Sequence, residues 1–256
     1  MASDTKYFDE WYADMERSRT RDQIASAALG LPPGFDSNSL ITWDAVAEVT
    51  EALDLTPGDL LVDLACGRGA YGLEVARRTQ ARLIGVDFSA VALEAASRTA
   101  DRLGATDTEF RVGDLVATGL SDSSANAIMC IDAMQFADTY VAGLRECRRV
   151  LVPGGRLVVT GWEAAEPGDE RVPERTRRVH MARDLAAAGF EDVDVVPRPD
   201  WREAERSYWE AVMAADADGD PAVISLQREA THVLAEFDWA RRLFATATAP
   251  RRANRP

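Results

Sequence analysis

Three glycines, Gly67, Gly69 and Gly72, follow the carboxylate Asp63 in the stretch DLACGRGAYG (63–72) and fit the spacing G-x-G-x-x-G. Such a loop lets a ligand approach the backbone and points free N–H groups at it. A pyrophosphate on those N–H groups would lie beside the Asp63 carboxylate, and like charges at that range repel in a partly dry cleft. A ligand with an amino group and a carboxylate avoids the conflict, because the acid orients the cation and the loop amides take the anion. Asp87 stands twenty residues after Gly67, where a carboxylate can accept both ribose hydroxyls. In VGDL, Asp114 is placed to accept from an adenine amino group, and Phe88 and Leu115 can sandwich the ring. For proton transfer the candidates are the only two histidines, His180 and His232, and the acids Asp132 and Glu163.

The elements that must position these groups alternate between strand and helix. Apolar runs at 60–65, 81–87, 108–114, 125–132, 156–162 and 191–196 predict strands. Helical periodicity covers 71–79, 89–104, 139–151 and about 174–188. Ser89 is the expected N-cap and Gly104 the stop of the second helix, and PGG (153–155) ends the third. This alternation means a parallel sheet with helices on both faces, and ligands then bind beyond the C-terminal strand ends. Asp63, Asp87, Asp114 and Asp132 stand at the first four of those ends.

Two regions lie outside the alternating core. The expected boundaries are an N-terminal helical cap at 1–45, a core at 46–198 and 240–250, a helical insert at 199–239 and a loose tail at 251–256. Five of the six tryptophans lie in the cap and insert. Phe8, Trp11, Tyr12 and Met15 recur at helical spacing; Trp201, Glu205, Tyr208, Trp209 and Val212 share one helix face. Both sets can simply pack on the sheet domain, or they can line a cap over the strand ends.

The 256 residues carry a formal net charge of -14 with 46% hydrophobic residues, which fits a globular chain and argues against a nucleic-acid partner. The arginine clusters, such as RTRR at 175–178, are short and read as solvated faces. No apolar run predicts a membrane span, and the polar N-terminal stretch has no export signal. Cys66, Cys130 and Cys147 form no CxxC pair, so neither a zinc site nor a disulfide framework is expected, and a cytoplasmic location fits. Lys6 is the only lysine, a composition typical of GC-rich bacterial genomes.

LLVDLACGRGAYG, LIGVDFS, FRVGDL, AIMCIDAMQF, VLVPGGRLVV and LAAAGFEDVDVV come in an order and spacing that resembles the class I S-adenosylmethionine-dependent methyltransferases, in particular actinomycete natural-product tailoring enzymes. Ala65 departs from the glycine many members carry there. The resemblance implies a Rossmann-like α/β fold: a seven-stranded, mostly parallel sheet of order 3-2-1-4-5-7-6, its last strand antiparallel. RRLFATATA (241–249) suits that strand.

The resemblance also implies the cofactor S-adenosylmethionine and the product S-adenosylhomocysteine. Asp63, Ala65, Cys66, Gly67 and Gly69 would hold the methionine part. Asp87 and Phe88 would take ribose and adenine, and Gly113, Asp114 and Leu115 would complete the adenine pocket. Cys130 and Asp132 would line the cofactor near the sulfonium. Trp11, Tyr12, Met15, Gln135, Trp162, Tyr208 and Trp209 are the candidate acceptor residues. His232 is the preferred base, since its insert should cap the cleft; Asp132, Glu163 and His180 are rivals.

The expected acceptor is a small aromatic or apolar molecule, methylated on O, N or C, an indole-type ring among the options. A protein or peptide acceptor, or a catalytically silent cofactor-binding regulator, is the alternative. CIDAMQF (130–136) lacks the N-P-P-[YF] signature of enzymes acting on amide or base nitrogens. No metal is expected, and the chain is taken as a monomer or homodimer.

Overall fold

A computed structural model describes Asp9, Trp11, Tyr12, Met15 and residues 18–251. Phe8 and most of the tail expected at 251–256 lie outside the described residues. Seven strands form one sheet in the order β3-β2-β1-β4-β5-β7-β6. They are β1 (Leu60–Leu64), β2 (Arg82–Asp87), β3 (Thr108–Val112), β4 (Ala125–Cys130), β5 (Leu151–Ala164), β6 (Glu191–Pro197) and β7 (Ala240–Thr248). The β1–β2, β1–β4, β2–β3 and β4–β5 pairings are parallel, whereas β7 runs antiparallel to both β5 and β6. The order reverses between β1 and β4, and the crevice at their C-terminal ends is where such sheets bind ligands.

The helices are α1 (Arg19–Leu29), α2 (Trp43–Ala52), α3 (Ala70–Thr79), α4 (Ala90–Leu103), α5 (Tyr140–Val150), α6 (Glu174–Arg177), α7 (Met181–Ala188), α8 (Pro199–Ala214) and α9 (Pro221–Glu236). Their ends follow local chemistry. Ser89 caps α4 through the Ala92 N–H, and Gly104 closes it in the left-handed conformation. Asp220 caps α9 in the same way and also receives the Ser18 hydroxyl at 2.7 Å, which ties the N-terminal region to the insert.

Alternate residues of the inner strands feed two apolar layers. Val62, Leu64 and Ile128 join residues of α5 and α7 on one face. Leu61, Ala127 and Met129 join residues of α2 and α3 on the other. Ile41, Ala45 and Val46 belong to that second layer. A third cluster holds Met15, Leu29, Tyr208, Trp209, Val212 and Leu226, and packs α1, α8 and α9, the region expected as a cap, on one another.

Two local expectations are corrected. PGG does not end a helix: α5 stops at Val150, and 151–155 already belong to β5, with a register shift against β4 between Ala125 and Ala127. The extra residues are absorbed as a bulge. The helix expected at 174–188 is two helices, because Arg178–His180 break the run and His180 starts α7 anew.

Candidate functional site

The loop between β1 and α3 is strained where a ligand needs backbone. Ala65, the departure from glycine, has φ 59°, a left-handed conformation that costs an L-residue roughly 1–2 kcal/mol. Gly67 has φ 52°, and a Cβ there would stand 3.1 Å from the Tyr12 hydroxyl oxygen. A cavity of about 40 Å³ lies at this loop, lined among others by Tyr12, Ser39, Asp63, Ala65, Gly67 and Ile131. Tyr12, expected at the acceptor, therefore lies on the glycine loop. Its ring meets Trp11 edge-on at 5.4 Å between centroids, and Trp11 packs against the cap core.

Two buried carboxylates face this loop. Asp63 accepts the Gly72 N–H at 3.1 Å. Burial, then the charge of Asp87, push its carboxyl up to about 7, and only the Gly72 amide opposes them. Asp87 accepts the Gly67 N–H at 2.9 Å and the Ser89 N–H at 2.9 Å, and burial raises it too. The backbone N–H groups of Ser89, Gly67 and Phe88 oppose that rise, and of a carboxylate's roughly four acceptor sites one remains beyond them for a hydroxyl. A ligand that brings a cation to Asp63 and a hydroxyl to Asp87 relieves both strains. An anionic pyrophosphate deepens them.

The adenine-side expectations are partly backbone features. Asp114 accepts the Val116 N–H at 3.0 Å and closes a turn with Ala117, while Phe88 and Leu115 are half-buried. At Gly113 a Cβ would sit 2.7 Å from Val86, so the turn is tightly packed. The Cys66 thiol points toward Gly85, 2.9 Å from where a Cβ would stand. Cys130 is fully buried in the apolar layer with Met134 and Cys147, so its side chain is turned from the cleft.

At the end of β4 the cleft changes character. Asp132 has φ 58°, and its carboxylate accepts the Thr160 hydroxyl at 2.6 Å and the Arg242 guanidinium at 2.6 Å. Arg242 is 1% exposed and sits opposite Trp162 in the β5–β7 pairing. Its guanidinium carbon lies 5.3 Å from the half-buried Trp162 ring, which also meets Phe237 edge-on. Gln135 donates to the Asp132 carbonyl at 2.6 Å, beside Gly161. Asp132, Gln135 and Trp162 are thus brought together.

Other candidates are placed elsewhere. His180 caps α7, accepting the Arg183 N–H at 3.3 Å through Nδ1. Glu163 is buried, accepting the Met181 N–H at 3.0 Å and pairing with Arg241, so both its oxygens are engaged in fastening α7 to β5. His232 is exposed on α9, off the face that carries Leu226 and Ala230 into the cap core. Met15, Tyr208 and Trp209 are buried inside the cap, because their helices pack on one another before they face the cleft.

Two residues that sequence reasoning passed over stand next to Asp132. They are Arg242 and Glu205, the latter 5% exposed on α8. The available signal was a charge where the pattern demanded an apolar residue: Glu205 among tryptophans on one helix face, and Arg242 opening an apolar strand.

Residues 61–155 match the family described as Methyltransferase domain. Over those residues the chain carries a methyltransferase domain. The sterol 24-C-methyltransferase of Eremothecium gossypii is 30% identical over 154 residues, 54% of this chain and 41% of that protein. The 27-O-demethylrifamycin SV methyltransferase of Amycolatopsis mediterranei is 25% identical over 197 residues, 68% of this chain and 72% of that protein. Among solved structures, the [4+2]-cyclase SpnF has the same fold, with a TM-score of 0.73 at 24% identity, covering 90% of this chain and 92% of that one. The chain spans 41% or less of the length of the first curated relatives it matches. The matched residues run from β1 into the start of β5; the rest of β5, β6–β7 and helices α1, α8 and α9 lie outside them. Among the described residues no helix is long and apolar enough to cross a membrane, and no group of His, Cys, Asp and Glu could hold a metal.

Proposed function

We propose that the chain binds S-adenosylmethionine at the glycine loop and transfers its methyl group to a small aromatic or apolar acceptor under the cap. One observation carries the cofactor: Asp63, buried against Asp87, is raised to about 7, and among the described residues no cationic side chain lowers it. The ammonium of the methionine part supplies the missing charge, and Asp87 takes a ribose hydroxyl. When bound, the cofactor supplies an electrophilic methyl on a sulfonium. The chain's own part is to hold the acceptor on the methyl axis, exclude water and receive a proton where the acceptor loses one.

The acceptor class rests on Trp162, whose half-buried ring stands beside the Asp132–Arg242 pair and offers a flat apolar wall. The rifamycin relative, named for a small-molecule substrate, supports that class. Asp132 takes the proton-receiving role in this reading: Thr160 holds one of its oxygens and Arg242 and the Leu40 N–H hold the other, but unlike Glu163 it keeps partial exposure, and it follows Ile131, which lines the cavity.

Calorimetric titration with S-adenosylhomocysteine, with NAD in parallel, tests the cofactor. Micromolar binding of the first alone is expected; binding of NAD alone would overturn the proposal. Screening aromatic small molecules against peptides with labelled S-adenosylmethionine then tests the acceptor class, and labelling of peptides alone would overturn that part.

A further inference from the structure

Arg242 is shared between two acids. One guanidinium nitrogen donates to Asp132 at 2.6 Å; the other lies 3.7 Å from Oε2 of Glu205. The three groups come from three elements: the loop after β4, strand β7 and the cap helix α8. Glu205 Oε1 accepts the Trp209 indole N–H at 3.3 Å, while Oε2 is buried with no hydrogen-bond partner, as is Nε of Arg242. The network is closed at Glu205 and partly open at Asp132.

One positive charge cannot neutralise both the buried Glu205 and the part-buried Asp132. The nearer acid, Asp132, takes most of it, and Glu205 is the surplus. We infer that Glu205 is a positioning residue for Asp132: its own charge sets how much of the Arg242 guanidinium Asp132 receives, and so how strongly Asp132 draws a proton from the acceptor. This rests on the proposal that Asp132 faces the acceptor. With Glu205 neutral, Arg242 is committed to Asp132, a weak base. With Glu205 ionised, Arg242 is drawn toward the cap and Asp132 is released. The acceptor's proton passes to an Asp132 oxygen, and the electron pair of the broken bond stays on the atom that becomes methylated.

The surroundings set the working range. Burial raises Glu205 to about 7; Arg242 on β7 opposes this, Asp132 adds to it, the Trp209 N–H on α8 lowers it, and Glu229 on α9 raises it. The switch therefore falls near neutrality, with the ionised-to-neutral ratio changing about tenfold per pH unit.

The test is a carbon-13 carboxyl NMR titration of the full chain labelled in Asp and Glu, from pH 5 to 9. The expected result is a Glu205 midpoint near 7 and a step in the Asp132 signal at that same pH. An Asp132 signal that stays flat while Glu205 titrates overturns the inference, as does a Glu205 midpoint in the ordinary carboxylate range. E205Q should abolish the Asp132 step; its persistence also overturns the inference, whereas a merely structural Glu205 would change the melting temperature without moving Asp132. The wild-type coincidence decides even where the variant does not fold. Tryptophan fluorescence gives a second measure: an inflection near 7 in wild type that W209F removes supports the coupling, and an inflection W209F leaves intact counts against it. None of these readouts uses the cofactor. Failure of S-adenosylhomocysteine to bind would sink the methyl-transfer proposal and leave the Asp132–Glu205 coupling standing or falling on its own.

Discussion

Asp63 and Gly72 are in contact across the first turn of α3. The Gly72 N–H donates to Asp63 at 3.1 Å, and a Cβ on Gly72 would lie 2.6 Å from the same carboxylate oxygen and 3.0 Å from Asp63 Cβ. The third glycine of the fingerprint thus serves the acid behind the loop. Gly72→Ala must displace Asp63. We expect a loss on the order of 1–3 kcal/mol in stability and more than tenfold weaker S-adenosylhomocysteine binding, checked by thermal unfolding and calorimetry.

Binding should also depend on pH through Asp63. Its carboxyl is raised from 3.8 to about 7 in the free protein. A raised acid favours the folded state below its ordinary range, and that advantage is lost as pH rises through 7. A ligand ammonium needs the ionised form. Affinity should therefore tighten as pH rises from 5 to 7, approaching tenfold per unit, and level off above. Asp63→Asn should be weak and flat over the same range. Calorimetry at four pH values decides it; a wild-type affinity that falls as pH rises would contradict the charge argument.

Among the described residues Arg242 is the cation shared by Asp132 and Glu205. Arg242→Met leaves the buried Glu205 and the part-buried Asp132 without it, and breaking a buried pair in this way costs about 3–5 kcal/mol. The deficit should grow with pH, since Glu205, already raised by burial, loses the Arg242 charge that opposes that rise and must ionise unpaired. Urea unfolding at pH 6 and pH 8 measures it, and an equal loss at both would disagree.

The two histidines should behave differently. His180→Ala removes an N-cap from α7 and should cost about 1 kcal/mol. His232 is exposed on α9, and His232→Ala should stay within about 0.5 kcal/mol of wild type. Thermal melts of both variants check this. A large loss at His232 would mean that the cap closes over that side of α9.

The local order of this chain was legible in its sequence because local rules set it. Ser89 and Gly104 bound α4 by capping and left-handed closure. The acids at 63 and 87 follow from where apolar runs stop. The antiparallel β7 and the strand order came with the resemblance. PGG misled because a bulge in β5, which depends on the pairing with β4, makes the turn residues part of a strand.

What only the tertiary structure decided is which side chains meet. Met15, Tyr208 and Trp209 have the periodicity of a cleft wall, but their helices bury that face against one another first. Tyr12 reaches the glycine loop across a long stretch of chain. Asp132, Glu205 and Arg242 are far apart in sequence, and no spacing rule joins a strand end, a cap helix and the last strand. Sequence period fixes which face a residue occupies; the charge balance of the cleft depends on which faces are brought together, and packing alone sets that.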